Sequence, residues 1–138
     1  MQYAETNCAE NKSDALVARK MERLRRIPGM DVDQGIAYCA NDEEFYLSML
    51  RDYLDADRSR LLREAYEAKD WDAYQLQAHS LKSTSYSIGA MTLGDQAKTS
   101  ELRLKEGDSQ KAAELHESLV EHYEMFAHLL EEILSGEA

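Results

Sequence analysis

The chain of 138 residues has one proline, six glycines and two cysteines. With so few helix breakers and 43% hydrophobic residues, it reads as an ordered, helix-rich chain large enough for a single core. Cys8 and Cys39, two isolated cysteines without an extracellular signature, read as free thiols in a reducing compartment. The longest uncharged run, Ser83 to Gly94, is too short to cross a bilayer. Met1 to Asp14 carries Glu5, Glu10, Lys12 and Asp14 and no apolar block, unlike a secretory signal. A cytoplasmic protein without membrane insertion is expected. Basic residues are also short, 16 against 27 acidic, and the net charge of −11 argues against sequence-independent attraction to nucleic acid.

Catalytic signatures are missing as well. No Gly-x-x-x-x-Gly-Lys-[Ser/Thr] phosphate loop and no Gly-x-Gly-x-x-Gly fingerprint occurs, which argues against an autonomous kinase. No serine sits in a nucleophile-elbow pattern. A metal site in a helical bundle uses Glu-x-x-His pairs, but Leu76, Ala113, Leu119 and Met125 stand three residues before the four histidines. His116, His122 and His128 are spaced by six, a rotation of about 240° that scatters them around a helix. They read as solvated or boundary side chains, with His122 hydrogen-bonded at a seam, and no metal is expected.

What is present is helical periodicity. Residues 1 to about 12 are polar and read as frayed; a short amphipathic helix from Ser13 is stopped by Pro28-Gly29. Its basic cluster, Arg19, Lys20, Arg23, Arg25 and Arg26, reads as a solvated face. A brief helix over Asp33–Cys39 follows, then a segment capped by Asp42 and running to Lys69. In that segment Leu47, Leu50, Leu54, Leu61, Ala65 and Ala68 form the inward stripe, interrupted at Asp55-Ala56-Asp57. Asp70 opens the next helix and Gly89 supplies its left-handed stop. Met91 to about Leu104 forms another, with Leu93, Ala97 and Leu104 inward. The last opens at Asp108 or Ser109, with a seam of Ala112, Leu115, Leu119, His122, Phe126, Leu129 and Ile133. The fold expected is all-α: an antiparallel up-down-up-down four-helix bundle over residues 27–138, with residues 1–26 as an N-terminal tail and short helix.

One histidine stands apart. With His79 at zero on a helical wheel, Trp71, Tyr74, Ala78, Leu81, Ser85 and Ile88 fall between about 180° and 280°, the buried face. Asp72, Gln75, Lys82, Ser83 and Tyr86 fall within about 60° of His79, which therefore faces solvent, with Leu76 as an aliphatic neighbour. A neutral imidazole nitrogen is a nucleophile. Lys82, one turn on, offers an ammonium to phosphoryl oxygens, and Ser83 leaves room above the ring.

The run His79-Ser80-Leu81-Lys82-Ser83-Thr84-Ser85-Tyr86-Ser87-Ile88-Gly89-Ala90, with Leu93 and Glu101 following, resembles the signature of histidine phosphotransfer (HPt) domains, four-helix modules of multistep two-component phosphorelays. Ile27-Pro28-Gly29-Met30-Asp31-Val32, Gly35 and Asn41-Asp42-Glu43-Glu44-Phe45-Tyr46 resemble the segment before that family's bundle, so the likeness spans about residues 27 to 134.

The resemblance implies that His79 is the phosphoacceptor and Lys82 the phosphoryl-stabilising lysine, in a phosphocarrier without kinase activity. It also implies response-regulator receiver domains and a hybrid sensor histidine kinase as partners. No cofactor of its own is implied, Mg²⁺ being brought by the receiver. Ser83 stands where the family usually has glycine, Tyr86 where it has a small residue, and Ser100 at a commonly apolar position. Gln75, Leu76 and Tyr86 are expected to rim the site and tune receiver docking, with Gly89 structural. Met1 and the missing kinase motifs point to a free-standing module, a domain of a hybrid kinase being the other context. The alternative function is a helical adaptor whose His79 face docks such partners without being phosphorylated.

Overall fold

Aspartate starts four of the helices. The carboxylates of Asp31, Asp42, Asp70 and Asp108 accept from the backbone N–H of Gln34, Phe45, Ala73 and Lys111, each satisfying a donor that the first helical turn leaves open. The computed structural model describes the backbone of residues 2–136 and side chains from residue 13 onward. The described residues form seven helices: α1 (Gln2–Arg25), α2 (Val32–Tyr38), α3 (Glu43–Asp55), α4 (Arg58–Glu67), α5 (Trp71–Ser87), α6 (Met91–Lys105) and α7 (Ser109–Ser135). Among these residues there is no strand, only an isolated bridge between Met30 and Ala90. None of the helices is long and apolar enough to cross a membrane.

The architecture is an all-α bundle. Helices α5 and α6 form a hairpin that packs on α7 and on the broken α3–α4 pair, while α1 and α2 close one end. The periodicity misses the start of α1 and the rotation of α7, while the interruption at Asp55-Ala56-Asp57 is a break between two helices. Helix α1 begins at Gln2 instead of Ser13, since neither Pro nor Gly interrupts it before Pro28. The Cys8 side chain lies outside the described residues, while Cys39 is a buried free thiol. The segment from Asp42 is two helices: Asp57 takes φ +42° between them and does not cap α4.

The inward stripe of α3 and α4 is Tyr46, Leu50, Tyr53, Leu62 and Ala65; Leu47, Leu54 and Leu61 are half-buried and Ala68 is exposed. The tyrosines take the inward positions because their hydroxyls find partners there. Tyr46 donates to the Ile88 carbonyl at 2.7 Å, and Tyr53 shares a 2.9 Å hydrogen bond with Ser85. Helix α7 is rotated from its expected seam, burying His116, Val120, Tyr123 and Leu130 beside Ala112, Leu119, Phe126 and Ile133.

His116 is thus not a solvated histidine: its Nδ1 shares a 2.7 Å hydrogen bond with the Tyr74 hydroxyl, and Tyr66 stacks on its ring. His122 is half-buried at the seam, bonded to Gln96. Of the basic cluster on α1, Lys20 is not simply solvated. It donates to the Leu134 carbonyl at 2.8 Å, a cation on the C-terminal end of α7.

Helix α1 contributes Met21 and Leu24 to the same core as the bundle, followed by Ile27. The turn between α5 and α6 is strapped to the chain ahead of α2, where the Asp31 N–H donates to the Gly89 carbonyl at 2.7 Å. Gly89 takes φ +85°, and a Cβ there would lie 2.0 Å from the Asp31 oxygen.

Two stability tests follow from these contacts. Gly89→Ala combines left-handed strain with that clash and is expected to lose roughly 2–4 kcal/mol in urea denaturation; a loss below about 0.5 kcal/mol would remove the strap from the account. Burial, with Arg63 close by, holds the His116 imidazole below its ordinary value. The unfolded chain therefore takes up the proton first as pH falls, and the fold loses stability below about 6.5. His116→Gln should flatten the decline in urea midpoint between about pH 7.5 and 5.5; parallel declines in both proteins would contradict a buried neutral ring.

Candidate functional site

On α5 the apolar face is inward, with Tyr74, Ala78, Leu81, Ser85 and Ile88 buried and Trp71 half-buried. Opposite it, the His79 imidazole is 53% exposed. It is nevertheless held. Across the hairpin, Glu101 of α6 bonds His79 Nδ1 through Oε2 at 2.5 Å and accepts from Lys82 Nζ through Oε1 at 2.6 Å. Lys105 adds its ammonium 3.7 Å from Oε2.

The Glu101 side chain is only 4% exposed, so a carboxylate withdrawn from water lies under a surface histidine and two lysines. Burial by itself would raise this carboxyl; the hydrogen bonds from Lys82 and His79, with their charges, outweigh it and hold Glu101 below its ordinary value. An ionised carboxylate only accepts hydrogen bonds, so Nδ1 carries the ring hydrogen toward Glu101 and Nε2 faces outward.

Gln75 and Leu76 line a shallow groove with Asp72, His79, Glu101 and Lys105, and Leu76 is exposed. Ser83 is exposed one turn past His79. Tyr86 lies two turns past His79 and turns toward α6, its ring over Gly94 and its hydroxyl donating to Asp95 Oδ1 at 2.5 Å. Burial, with the Asp95 bond and charge, pushes the Tyr86 phenol up to about 12, so it remains a donor at neutral pH. Gly89 closes α5 in the positive-φ turn.

Glu101 was legible only as part of a pattern, without a role. The missed signal is physical: on the wheel of α6 it sits at the edge of the Leu93, Ala97 and Leu104 stripe, where an acid requires cationic partners.

An exposed imidazole with its inner nitrogen occupied is suited to attack an electrophile through the outer one. A family model for the Hpt domain matches residues 45–136. The chain belongs to the Hpt domain family. Members of that family serve histidine phosphotransfer in phosphorelays and interact with receiver domains and kinases. No curated protein and no solved structure matches the chain. The Hpt match begins within α3, so α1 and α2 precede it while sharing the core.

The ionised Glu101 has a pH signature. Its folded value lies below the unfolded 4.5, so its contribution to stability is present above about 4.5 and is lost as pH falls through the folded value. Glu101→Gln is expected to remove that part of the acid-side decline in denaturant midpoint. It should also alter the His79 ring nitrogen resonances at neutral pH, and unchanged resonances would show that the carboxylate does not hold the ring.

Proposed function

We propose that this Hpt protein accepts a phosphoryl group on Nε2 of His79 from the aspartyl phosphate of a receiver domain and passes it to the aspartate of another receiver. The observation that carries this reading is the exposed imidazole whose Nδ1 is bonded to a buried carboxylate, which leaves the free lone pair on the outward nitrogen. In the forward step Nε2 attacks phosphorus in line, the Nε2–P bond forms, and the P–O bond to the receiver's aspartate breaks to release its carboxylate. The Nδ1 hydrogen stays on the ring, and the positive charge that develops there lies against Glu101, as an imidazolium is stabilised by a carboxylate elsewhere. Return transfer reverses each of these events.

Lys82 stands one turn from His79 with one donor engaged by Glu101, and its other two N–H groups are available to phosphoryl oxygens. Ser83 leaves the approach to the ring open. Gln75 and Leu76, beside the ring in the groove, and Tyr86 further along the same face form the docking rim for the receiver. A hybrid sensor histidine kinase supplies the phosphoryl group to the relay. The chain brings no kinase chemistry and no cofactor of its own, and Mg²⁺ arrives with the receiver. The cytoplasm is the compartment in which such partners meet it.

The experiment mixes the protein with a panel of phosphorylated receivers. Wild type should acquire acid-labile label, His79→Gln none, and Lys82→Ala should transfer about 10²-fold more slowly. Binding without label across the panel would overturn the relay in favour of a docking adaptor.

A further inference from the structure

Tyr86 and Gly94 form a matched pair on facing helices. A Cβ built on Gly94 would lie 2.5 Å from Tyr86 Cε1 and 2.6 Å from Cδ1, so the ring occupies the space that a side chain at Gly94 would need. The Tyr86 hydroxyl then reaches the next residue, Asp95. The ring therefore fixes α5 on α6 by shape and by a hydrogen bond together.

The position of this pair matters more than its strength. Tyr86 lies seven residues after His79 on α5, and Gly94 lies seven before Glu101 on the antiparallel α6. Seven residues are two helical turns, a rise of about 10.5 Å, so the two pairs sit at the same register on the same flank of the hairpin. Between them α6 buries Ala97 and Ser100, small residues that let the helices close. A slide or splay of α6 at Gly94 is carried along a stiff helix to Glu101, where hydrogen-bond geometry tolerates little displacement.

We propose that Tyr86 and Gly94 are positioning residues, a register lock on the α5–α6 hairpin that keeps the Glu101 carboxylate on the His79 ring. The lock rests on the phosphotransfer reading only for its consequence in rate; its structural claim concerns the ring and the carboxylate. It also gives the large side chain at Tyr86 a second task beside the docking rim.

Ring nitrogen resonances of His79, which report the tautomer without any phosphoryl donor, supply the primary readout. Tyr86→Ser empties the notch and should shift those resonances toward the values of Glu101→Ala, with receiver-dependent labelling slowed about ten-fold. Gly94→Ala should do the same although helix propensity alone favours alanine there. The double variant, in which the clash is gone but the ring is still missing, should be no more impaired than Tyr86→Ser alone, a non-additivity expected only of a contacting pair.

Wild-type resonances in folded Tyr86→Ser would overturn the lock, and so would a double variant whose loss is the sum of the two single losses. Should Gly94→Ala not fold, Tyr86→Ser decides alone, since it introduces no clash. A wild type that no receiver labels would overturn the relay, leaving the lock to be judged by the resonances.

Discussion

A carboxylate buried between two helices destabilises a fold unless cations come to it, and the Glu101 side chain obtains them from both helices. Lys82 and His79 reach it from α5, Lys105 from its own helix. Several consequences come from this single arrangement. The ring of a surface histidine, otherwise free to rotate, is held by one nitrogen. The lysine nearest it is drawn to the same flank. The hairpin acquires a polar contact with a required register, because a slide of one turn would take the buried charge away from Lys82 and His79. The pairs Arg51–Glu131 and Arg63–Glu124, which link α3 and α4 to α7 directly, are exposed and set no comparable constraint.

The far side of α5 is built on another principle. Three of the four core tyrosines tie α5 to its neighbours through their hydroxyls: Tyr46 on the Ile88 carbonyl, Tyr53 on Ser85, Tyr74 on His116. Burial raises all three phenols, so they remain protonated and can keep these bonds at neutral pH. Two of these bonds, with the Asp31–Gly89 strap, converge on the C-terminal end of α5. The helix that carries His79 is thereby anchored from behind, so its polar face does not have to hold it on the core.

This division explains what could be read in advance. The exposure of His79 and the inward stripe of α5 follow from helical geometry alone, because that helix has a single apolar face. The aspartate caps and the Gly89 stop are local chemistry and were legible too. Periodicity was less reliable for α3 and α7, where tyrosine and histidine compete with leucine for inward positions. Leu47 and Leu54 look better buried than Tyr46 and Tyr53 until the partners at Ile88 and Ser85 are known. Those partners lie 42 and 32 residues away in the chain, beyond any local pattern. The same holds for His116, which a wheel of α7 cannot tell from a solvated residue.

Glu101 is the instructive case, since its type is visible and its role depends on pairing across the hairpin. Replacing the cluster with apolar residues could leave the fold as stable, as buried ion pairs often permit. What an apolar hairpin cannot supply is an acceptor for Nδ1. Without one, both ring nitrogens compete for the hydrogen, and the outward nitrogen is blocked for part of the time. A buried acid that fixes the tautomer suits a ring whose outward lone pair has a task, as the proposed relay requires. In the proposed relay, the desolvated Glu101 carboxylate is what keeps the Nε2 lone pair turned outward.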